Sequence, residues 1–466
     1  VDVDELVAEI RSELVPEPLE AERIRSLAKR VLATGIDQAS QLGMSARPVL
    51  VGSVAKGTWL PGARDVDVFL LFPQELSREA LREHGLALGQ AVVGALGGTA
   101  TVAYAEHPYV KGEVDGFAVD LVPAYQVDAA TKKVSSVGRT PFHTKFVCGR
   151  ISESQRGEVR LLKRFCTGCD LYGADTRTQG LSGYLCELLV LHYGSFIDVL
   201  EAVAVWEPPV IIDIEDHRDE GIRFSEPVLV IDPVDPRRNV AAALSSENLH
   251  IFSLAARDFL GKPNRQFFFP SPIPDMTWED LPGKLSGDRL VLVTFEPPDV
   301  VPDQLWPQLR RFARSLLTQA EREGFVVRAQ EVWSDEDKLA VVALRVSTYR
   351  LAPTRVHHGP LLDAPEHHQK AFLEKHRAFS PRIHNRRWEV VLPREHTLVD
   401  TFIEGAVITD ERGLVRAGCP RGLASTVATS GSMVTEGALE ETFTGNDGLR
   451  RFLNGWLSHR RRWEWG

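Results

Sequence analysis

The chain has 466 residues, enough for roughly three domains of ordinary size. Hydrophobic residues make up 43% and charged residues 25%, which excludes wholesale disorder, collagen-like repeats and a low-complexity scaffold. With 54 basic against 64 acidic side chains the formal charge is −10, so any contact with nucleic acid needs basic residues gathered locally.

Five cysteines form an odd and sparse set, against a disulfide framework and for a reducing compartment. No apolar run approaches the ~20 residues of a membrane span. Asp2, Asp4 and Glu5 give the first residues the wrong charge for a secretory or transit peptide. The expectation is a soluble, cytoplasmic, multi-domain protein with no membrane partner.

Leu6, Ile10 and Leu14 keep helical spacing until Pro16, and a second helix is predicted from Leu19 to about Leu42. Pro48 to Val51 is a short apolar run that stops at Gly52-Ser53, and Val66 to Phe72 is a strand ending at Pro73. Ser77 can cap a helix running to about Leu96, where Gly97-Gly98 ends it. Strands at Thr101–Ala105 and Phe117–Val122 complete a small mixed unit with helices flanking one sheet. From Glu158 to about Val205 the pattern is helical, followed by short strands at Val210–Ile214 and Val228–Ile231. A helix starts after Ser245 or Ser246, and Pro263–Pro274 reads as a linker or surface crossing. Arg289–Phe295, a helix from about Gln304 to Arg322, Phe325–Val332 and Leu339–Val346 form a β-α-β-β run expected to be a separate small domain. Strands are expected near Val390 and Val407, and a helix near Leu449 to Trp456. No internal repeat of fixed period is visible.

The sharpest chemical feature is Gly52-Ser53 with Asp65 and Asp67 twelve and fourteen residues beyond the serine. Side chains on a strand repeat every two residues, so these two carboxylates face the same way. Such a pair repels unless a divalent cation sits between its members, and oxygen ligands of this kind suit Mg²⁺. The alternative is a pair of solvated surface aspartates. Asp120 is a lone carboxylate on the otherwise apolar run Phe117–Val122, costly if buried without a partner. If that strand lies beside the first, three carboxylates converge, enough for two metal ions. A glycine at the end of a strand lets backbone approach a phosphate, Ser53 can donate to it, and Lys56 adds a cation one turn on.

At this point VGSVAKGTWLPGARDVDVFLLFP (51–73) resembles the nucleotidyltransferase signature of the polymerase-β superfamily. More narrowly, the chain is similar to the archaeal (class I) CCA-adding enzymes. That likeness rests on YAEHPYVKG (104–112), RTPFHTKF (139–146), EVRLLKRF (158–165), LYGADTRTQGLSGYLCELLVLHYGSF (171–196) and DPVDPRRNVAAALS (232–245). PQLRRFAR (307–314) and HRAFSPR (376–382) extend it into the second half. The resemblance implies an α/β multi-domain (α+β) chain: a catalytic polymerase-β-like head with a mixed sheet and flanking helices (1–145), a helical neck that reads the base (146–260), an α+β body (261–300 and 385–466) and a tRNA-anchoring tail (301–384).

The resemblance also implies roles. Asp65, Asp67 and Asp120 would be the catalytic, metal-binding carboxylates, holding two Mg²⁺ during catalysis, with Mn²⁺ as the other candidate. Gly52, Ser53 and Lys56 would grip the triphosphate, Lys56 standing where relatives commonly carry arginine. Thr140, His143, Lys163 and Tyr172 would contact the nucleotide's phosphates and sugar, and Arg238 the edge of its base. The implied activity is template-independent addition of C, C and A to the 3′ end of tRNA from CTP and ATP, with release of pyrophosphate. The tail would anchor the acceptor–TΨC arm, and a homodimer is left open. The alternatives are another polymerase-β-type nucleotidyltransferase, either a poly(A) polymerase or a small-molecule enzyme, and a non-catalytic RNA-binding protein on the same scaffold.

Basic clusters answer the electrostatic question. Residues 375–388 and 450–463 each hold five Lys/Arg and no acid, and Arg310, Arg311 and Arg314 follow Pro307 on a predicted helix. Candidate RNA contacts are these three with Arg377, Arg382, Arg386, Arg387, Arg460, Arg461 and Arg462; the alternative is solubilising helix faces. Cys166-x-x-Cys169 has zinc-like spacing without the second pair that a closed site needs. His357-His358 and His367-His368 read as solvated or phosphate-facing. No Ser-His-Asp order, Walker-type loop or paired dinucleotide glycines are legible.

Overall fold

The computed structural model describes residues 2–104, 108–127, 137–219, 221, 223, 225–407, 409–434, 436–458 and 460–464. The expected segment 104–112 therefore lies in part outside the described residues. The chain divides into two units, Val1–Pro272 with Arg461–Gly466, and Ile273–Arg460.

In the first unit, helix α1 (Val3–Glu13) precedes α2 (Pro18–Gln41), which starts on a proline where no backbone donor is missed. Strand β1 (Arg47–Leu50), the short helix α3 (Gly52–Lys56), β2 (Asp65–Phe72), α4 (Arg78–Ala95), β3 (Thr99–Tyr104), β4 (Pro108–Val114) and β5 (Phe117–Tyr125) follow. Ser77 caps α4 as expected, its hydroxyl accepting from Ala80 N at 3.1 Å. The strands form one sheet in the order β1-β2-β5-β4-β3. Only the β2–β5 pair is parallel. Strand β4 was not expected, because Lys111, Gly112 and Glu113 interrupt the apolar alternation. Val66, Val68 and Leu70 of β2 share a core with Val119 and Leu121 of β5, Ile24, Leu27 and Val31 of α2, and Leu81, Leu88 and Val92 of α4. The opposite face of β2 is apolar only at its far end, where Phe69 and Leu71 cluster with Val51 and Ala124. Its near end carries the aspartates.

The helical stretch expected over 158–205 is three helices, α6 (Glu153–Gly168), α7 (Gly183–Tyr193) and α8 (Phe196–Ala204), preceded by α5 (Thr140–Cys148). A small sheet of β6 (Val210–Ile212), β7 (Val228–Asp232) and β8 (Asp235–Asn239) and helix α9 (Ser246–Gly261) complete this half. Helix α1 buries Leu6, Val7 and Ile10, and its C-cap Leu14, in the same core as α6–α9, not in that of the first sheet. The proline-rich run 263–274 is likewise no surface crossing at its centre. Phe267 and Phe268 are 1% and 0% exposed, and the Phe267 ring stacks between Phe165 at 5.7 Å and Trp463 at 5.4 Å. Prolines set the local backbone there, but two phenylalanines decide where the segment goes.

The second unit contains α10 (Leu281–Leu285), β9 (Arg289–Phe295), α11 (Pro302–Glu323), β10 (Val326–Ser334) and β11 (Ala340–Thr348). Next come β12 (Thr354–Leu361), α12 (Glu366–Lys375), β13 (Arg382–His384) and β14 (Arg387–Pro393). Helices α13 (Val399–Val407), α14 (Glu411–Arg416) and α15 (Arg421–Ser430), strand β15 (Ser432–Val434), and helices α16 (Glu436–Thr444) and α17 (Asp447–Leu457) end it. The β-α-β-β run is not a domain by itself: its strands join β15 in one sheet of order β10-β11-β9-β15. A separate sheet is β12-β14-β13, spanning residues 354–393. The strand expected near Val407 is the end of α13. Its β-branched residues sit at helical spacing, with Val399 and Ile403 one turn apart in the core.

Candidate active site

The parallel pairing of β2 with β5 sets Asp67 opposite Asp120 and Asp65 opposite Ala118. Opposed residues of neighbouring strands share a face, so Asp65, Asp67 and Asp120 lie on one side of the sheet. Burial pushes Asp67 up to about 6, reinforced by the charges of Asp120 and Asp65 against the pull of Lys56. Asp120 is also raised, first by burial; Lys111, opposite it on β4, pulls it down and Asp65 pushes it up. One oxygen of Asp120, Oδ1, is buried with no hydrogen-bond partner. An orphaned carboxylate oxygen among mutually repelling acids is a strongly unfavourable arrangement unless a cation takes it up. As the side chains stand, no three His, Cys, Asp or Glu among the described residues are drawn close enough to cage an ion by themselves. The fit is therefore to hard cations that draw their remaining ligands from water and phosphate oxygens.

Glycine at position 52 is dictated by this face. Val51 N donates to Asp67 O at 3.0 Å, which brings the chain alongside β2. Gly52 has φ +72°, and a Cβ there would lie 2.1 Å from Asp67 Oδ2. The next residues form α3, with Ser53 half-buried at its start and Lys56 buried at its end.

Lys56 does not point freely into solvent. Its Nζ donates to Glu187 Oε2 at 2.6 Å, while Thr58 Oγ1 donates to Glu187 Oε1 at 2.6 Å. Lys163 Nζ lies 3.2 Å from the same Oε1 and 3.1 Å from Thr58 Oγ1. Two buried ammonium groups thus share one carboxylate, leaving one positive charge in excess. Burial pushes Glu187 up, but Lys163 and Lys56 win and hold it below the usual carboxylate range. Tyr172 ends beside them. A Cβ on Gly183 would meet its hydroxyl at 2.9 Å and Lys163 Nζ at 3.3 Å, so glycine leaves room for both. The Tyr172 residue is 37% exposed, yet burial of its hydroxyl end pushes the phenol up.

Asp232 gathers a second group. His143 Nε2 lies 2.8 Å from its Oδ2, and Arg238 Nη1 donates to the same oxygen at 2.8 Å. The Tyr184 hydroxyl and Val234 N donate to Oδ1 at 3.2 and 3.1 Å. The His143 ring stacks on Tyr184 at 4.1 Å. Burial lowers the pKa of His143 although Asp232 pulls the other way. Thr140, half-buried, opens α5 one turn before His143. Sequence reasoning missed Glu187, Asp232, Tyr184 and Lys111. All four lie within the family-like segments 104–112, 171–196 and 232–245, but nothing in the sequence by itself pairs Glu187 with Lys56 and Lys163 or Asp232 with His143 and Arg238.

The expected RNA-binding arginines are dispersed. Arg311 and Arg314 line a shallow cavity of about 600 Å³ with Arg322 and Arg416 and no acid; Arg310 neighbours them on α11. Arg377, Arg382 and Arg386 are exposed around the β12-β14-β13 sheet. There Arg382 and His384 approach Glu389 at 2.8 and 3.3 Å, and Arg387 keeps a buried Nε without a partner. Arg461 binds Asp258 at 2.8 Å, and Arg462 lies 3.5 Å from Asp170; both tie the end of the chain to the first unit, and Arg460 precedes them. Cys166 and Cys169 are buried thiols of the helical core, all five cysteines being free.

Three family profiles match the chain in order: a nucleotidyltransferase domain over residues 32–143, the second domain of tRNA nucleotidyltransferases over 157–269, and the C-terminal domain of CCA-adding enzymes over 286–416. The CCA-adding enzyme of Haloarcula marismortui is 39% identical over 88% of this chain and 90% of its own length. That of Methanothermobacter thermautotrophicus is 38% identical over 85% and 87%. That of Methanopyrus kandleri is 40% identical over 81% of each. No described helix is long and apolar enough to cross a membrane.

Proposed function

This chain belongs to the archaeal CCA-adding enzyme family, and on that premise we propose that Asp65, Asp67 and Asp120 form the catalytic centre of its tRNA nucleotidyltransferase reaction. The enzyme adds CCA to the 3′ end of tRNA from nucleotide triphosphates, which sets aside the poly(A), small-molecule and non-catalytic readings. The observation that carries the assignment of the centre is the in-register pair Asp67–Asp120 with the orphaned Asp120 Oδ1.

In this reading the terminal 3′-hydroxyl of the tRNA attacks the α-phosphorus of CTP or ATP in line, and pyrophosphate leaves. Asp65, Asp67 and Asp120 would hold divalent ions, Mg²⁺ with Mn²⁺ as the alternative, which supply charge neutralisation and a more acidic attacking hydroxyl. The chain itself does the rest. Gly52 lets backbone come close to the triphosphate, and Ser53 donates to it. Lys56 and Lys163 bring their surplus positive charge to the phosphates, where charge builds as pyrophosphate departs. Tyr172, Thr140 and His143 line the sugar and phosphate side. Arg238, steadied by Asp232, keeps donors for the edge of the incoming base.

Arg311 and Arg314, with Arg322 and Arg416, and the basic sheet of residues 354–393 would take the acceptor–TΨC arm by its backbone. The five free cysteines accord with a cytoplasmic enzyme. The test is to offer a tRNA lacking its end each triphosphate singly and in pairs. Two C and then one A, and no more, is expected; open-ended A addition or incorporation of U or G would overturn the reading.

A further inference from the structure

Behind α3, on the side away from Ser53 and Lys56, lies a cavity of about 440 Å³ in the first unit. One wall is α2, which presents Arg25 and Lys29 four residues apart; another is α6, which presents Arg156 and Arg160 at the same spacing. Four cations face one space, and the single acid among the lining residues, Glu153, is bound by Arg156. Like charges at this spacing destabilise a helix, and here two helices turn such pairs toward each other.

The donors are also incomplete. Trp59 Nε1, Arg156 Nε and Arg160 Nε are buried without a hydrogen-bond partner, and Trp59 and Arg160 are only 6% and 7% exposed. All three residues line the cavity. Burial lowers the pKa of Arg160, with Glu153 pulling the other way and the charge of Arg156 adding to the fall. The remaining wall is apolar: Leu32, Leu50 and Val54, beside the Trp59 indole. Unsatisfied N–H groups on residues that line one cavity call for an anion, and the apolar and aromatic wall calls for a flat body attached to it.

We propose that this cavity is a second nucleotide site, taking the phosphates of a free nucleotide between Arg25, Lys29, Arg156 and Arg160 and its base against Trp59 and Leu32. Because Arg160 Nη1 donates to Gly57 O at 2.8 Å, an occupant braces α3 from behind, and with it Ser53 and Lys56. The site is separate from the catalytic face: residues 53 and 56 lie on one side of α3, whereas Val54, Ala55 and Gly57 line the cavity.

Equilibrium dialysis of the full-length protein with radiolabelled ADP, which cannot be incorporated, tests this. Two equivalents are expected for the wild type and one for R25S/K29S, a change on α2 away from the catalytic aspartates. W59F, which removes one N–H, weakens the second equivalent several-fold. One equivalent in the wild type, or two undiminished in R25S/K29S, overturns the proposal. So does a loss of tRNA affinity in R25S/K29S with nucleotide stoichiometry fixed at one, which would make the cavity a seat for an RNA phosphate.

Discussion

Two sets of buried acids stand close together in the first unit and are treated in opposite ways. Asp67 and Asp120 face each other across β2 and β5, are both raised, and leave an oxygen without a partner. Glu187 and Asp232 are more deeply buried, at 1% and 0% exposure. Both are held below the usual range, because burial is outweighed by Lys163 and Lys56 in one case and by His143 and Arg238 in the other. An acid with every oxygen satisfied holds other side chains in position. An acid left unsatisfied keeps its valence for something that arrives.

The largest test of this contrast is Asp67→Ala. Nucleotide addition should fall by about 1,000-fold or more, while tRNA affinity in a filter-binding assay stays within a few-fold; undiminished turnover would put the centre elsewhere. Glu187→Gln should cost about 3 kcal/mol in a urea melt, because two buried ammonium groups lose their counter-charge. Its KM for CTP should rise, and Glu187→Asp should recover part of both losses. If the melt is unmoved, Glu187 positions nothing.

The contrast also sets a pH dependence. With Asp67 at about 6 before ions bind, ions compete with a proton below that pH. The Mg²⁺ concentration for half-maximal activity should therefore rise about tenfold per pH unit as pH falls below 6. A flat requirement between pH 5 and pH 7 would contradict the raised carboxyl.

The smallest effect has the opposite sign to that of Glu187. Because the folded protein holds the Asp67 proton more tightly than the unfolded chain, the contribution of this group to stability is full below pH 3.8 and is lost as pH rises through about 6. Asp67→Asn at pH 8 in EDTA should then stabilise the protein, by about 1 kcal/mol. Destabilisation by both Glu187→Gln and Asp67→Asn would erase the distinction between the two sets.

The aspartates were legible because a strand repeats every two residues and carboxylates interrupt an apolar run visibly. Their junction with Asp120 needed only that two short strands be neighbours, which the spacing permitted but could not prove. Glu187 was hidden because GYLCELLVLHY reads as a buried helix, and its one acid has meaning only when Lys56 and Lys163 arrive from elsewhere in the chain. At 263–274 the prolines marked a boundary, since the units divide at Pro272, but turn residues are an index of local backbone and not of burial, so the buried Phe267 and Phe268 were not foreseen. An arginine run looks the same in sequence whatever it faces, and only the structure shows that Arg461 reaches Asp258 and Arg462 approaches Asp170. The β-α-β-β run reads as a unit because its strands are near in sequence, whereas β9 also pairs with the distant β15.

Trp463 stacks on Phe267, and Arg461 reaches Asp258, so residues on either side of Ile273–Arg460 belong to one unit. During synthesis the catalytic half emerges first, yet its aromatic core cannot close until all of the second unit has left the ribosome. Until then Phe267 lacks one of its stacking partners, and the nascent enzyme carries a hydrophobic gap that Trp463 seals.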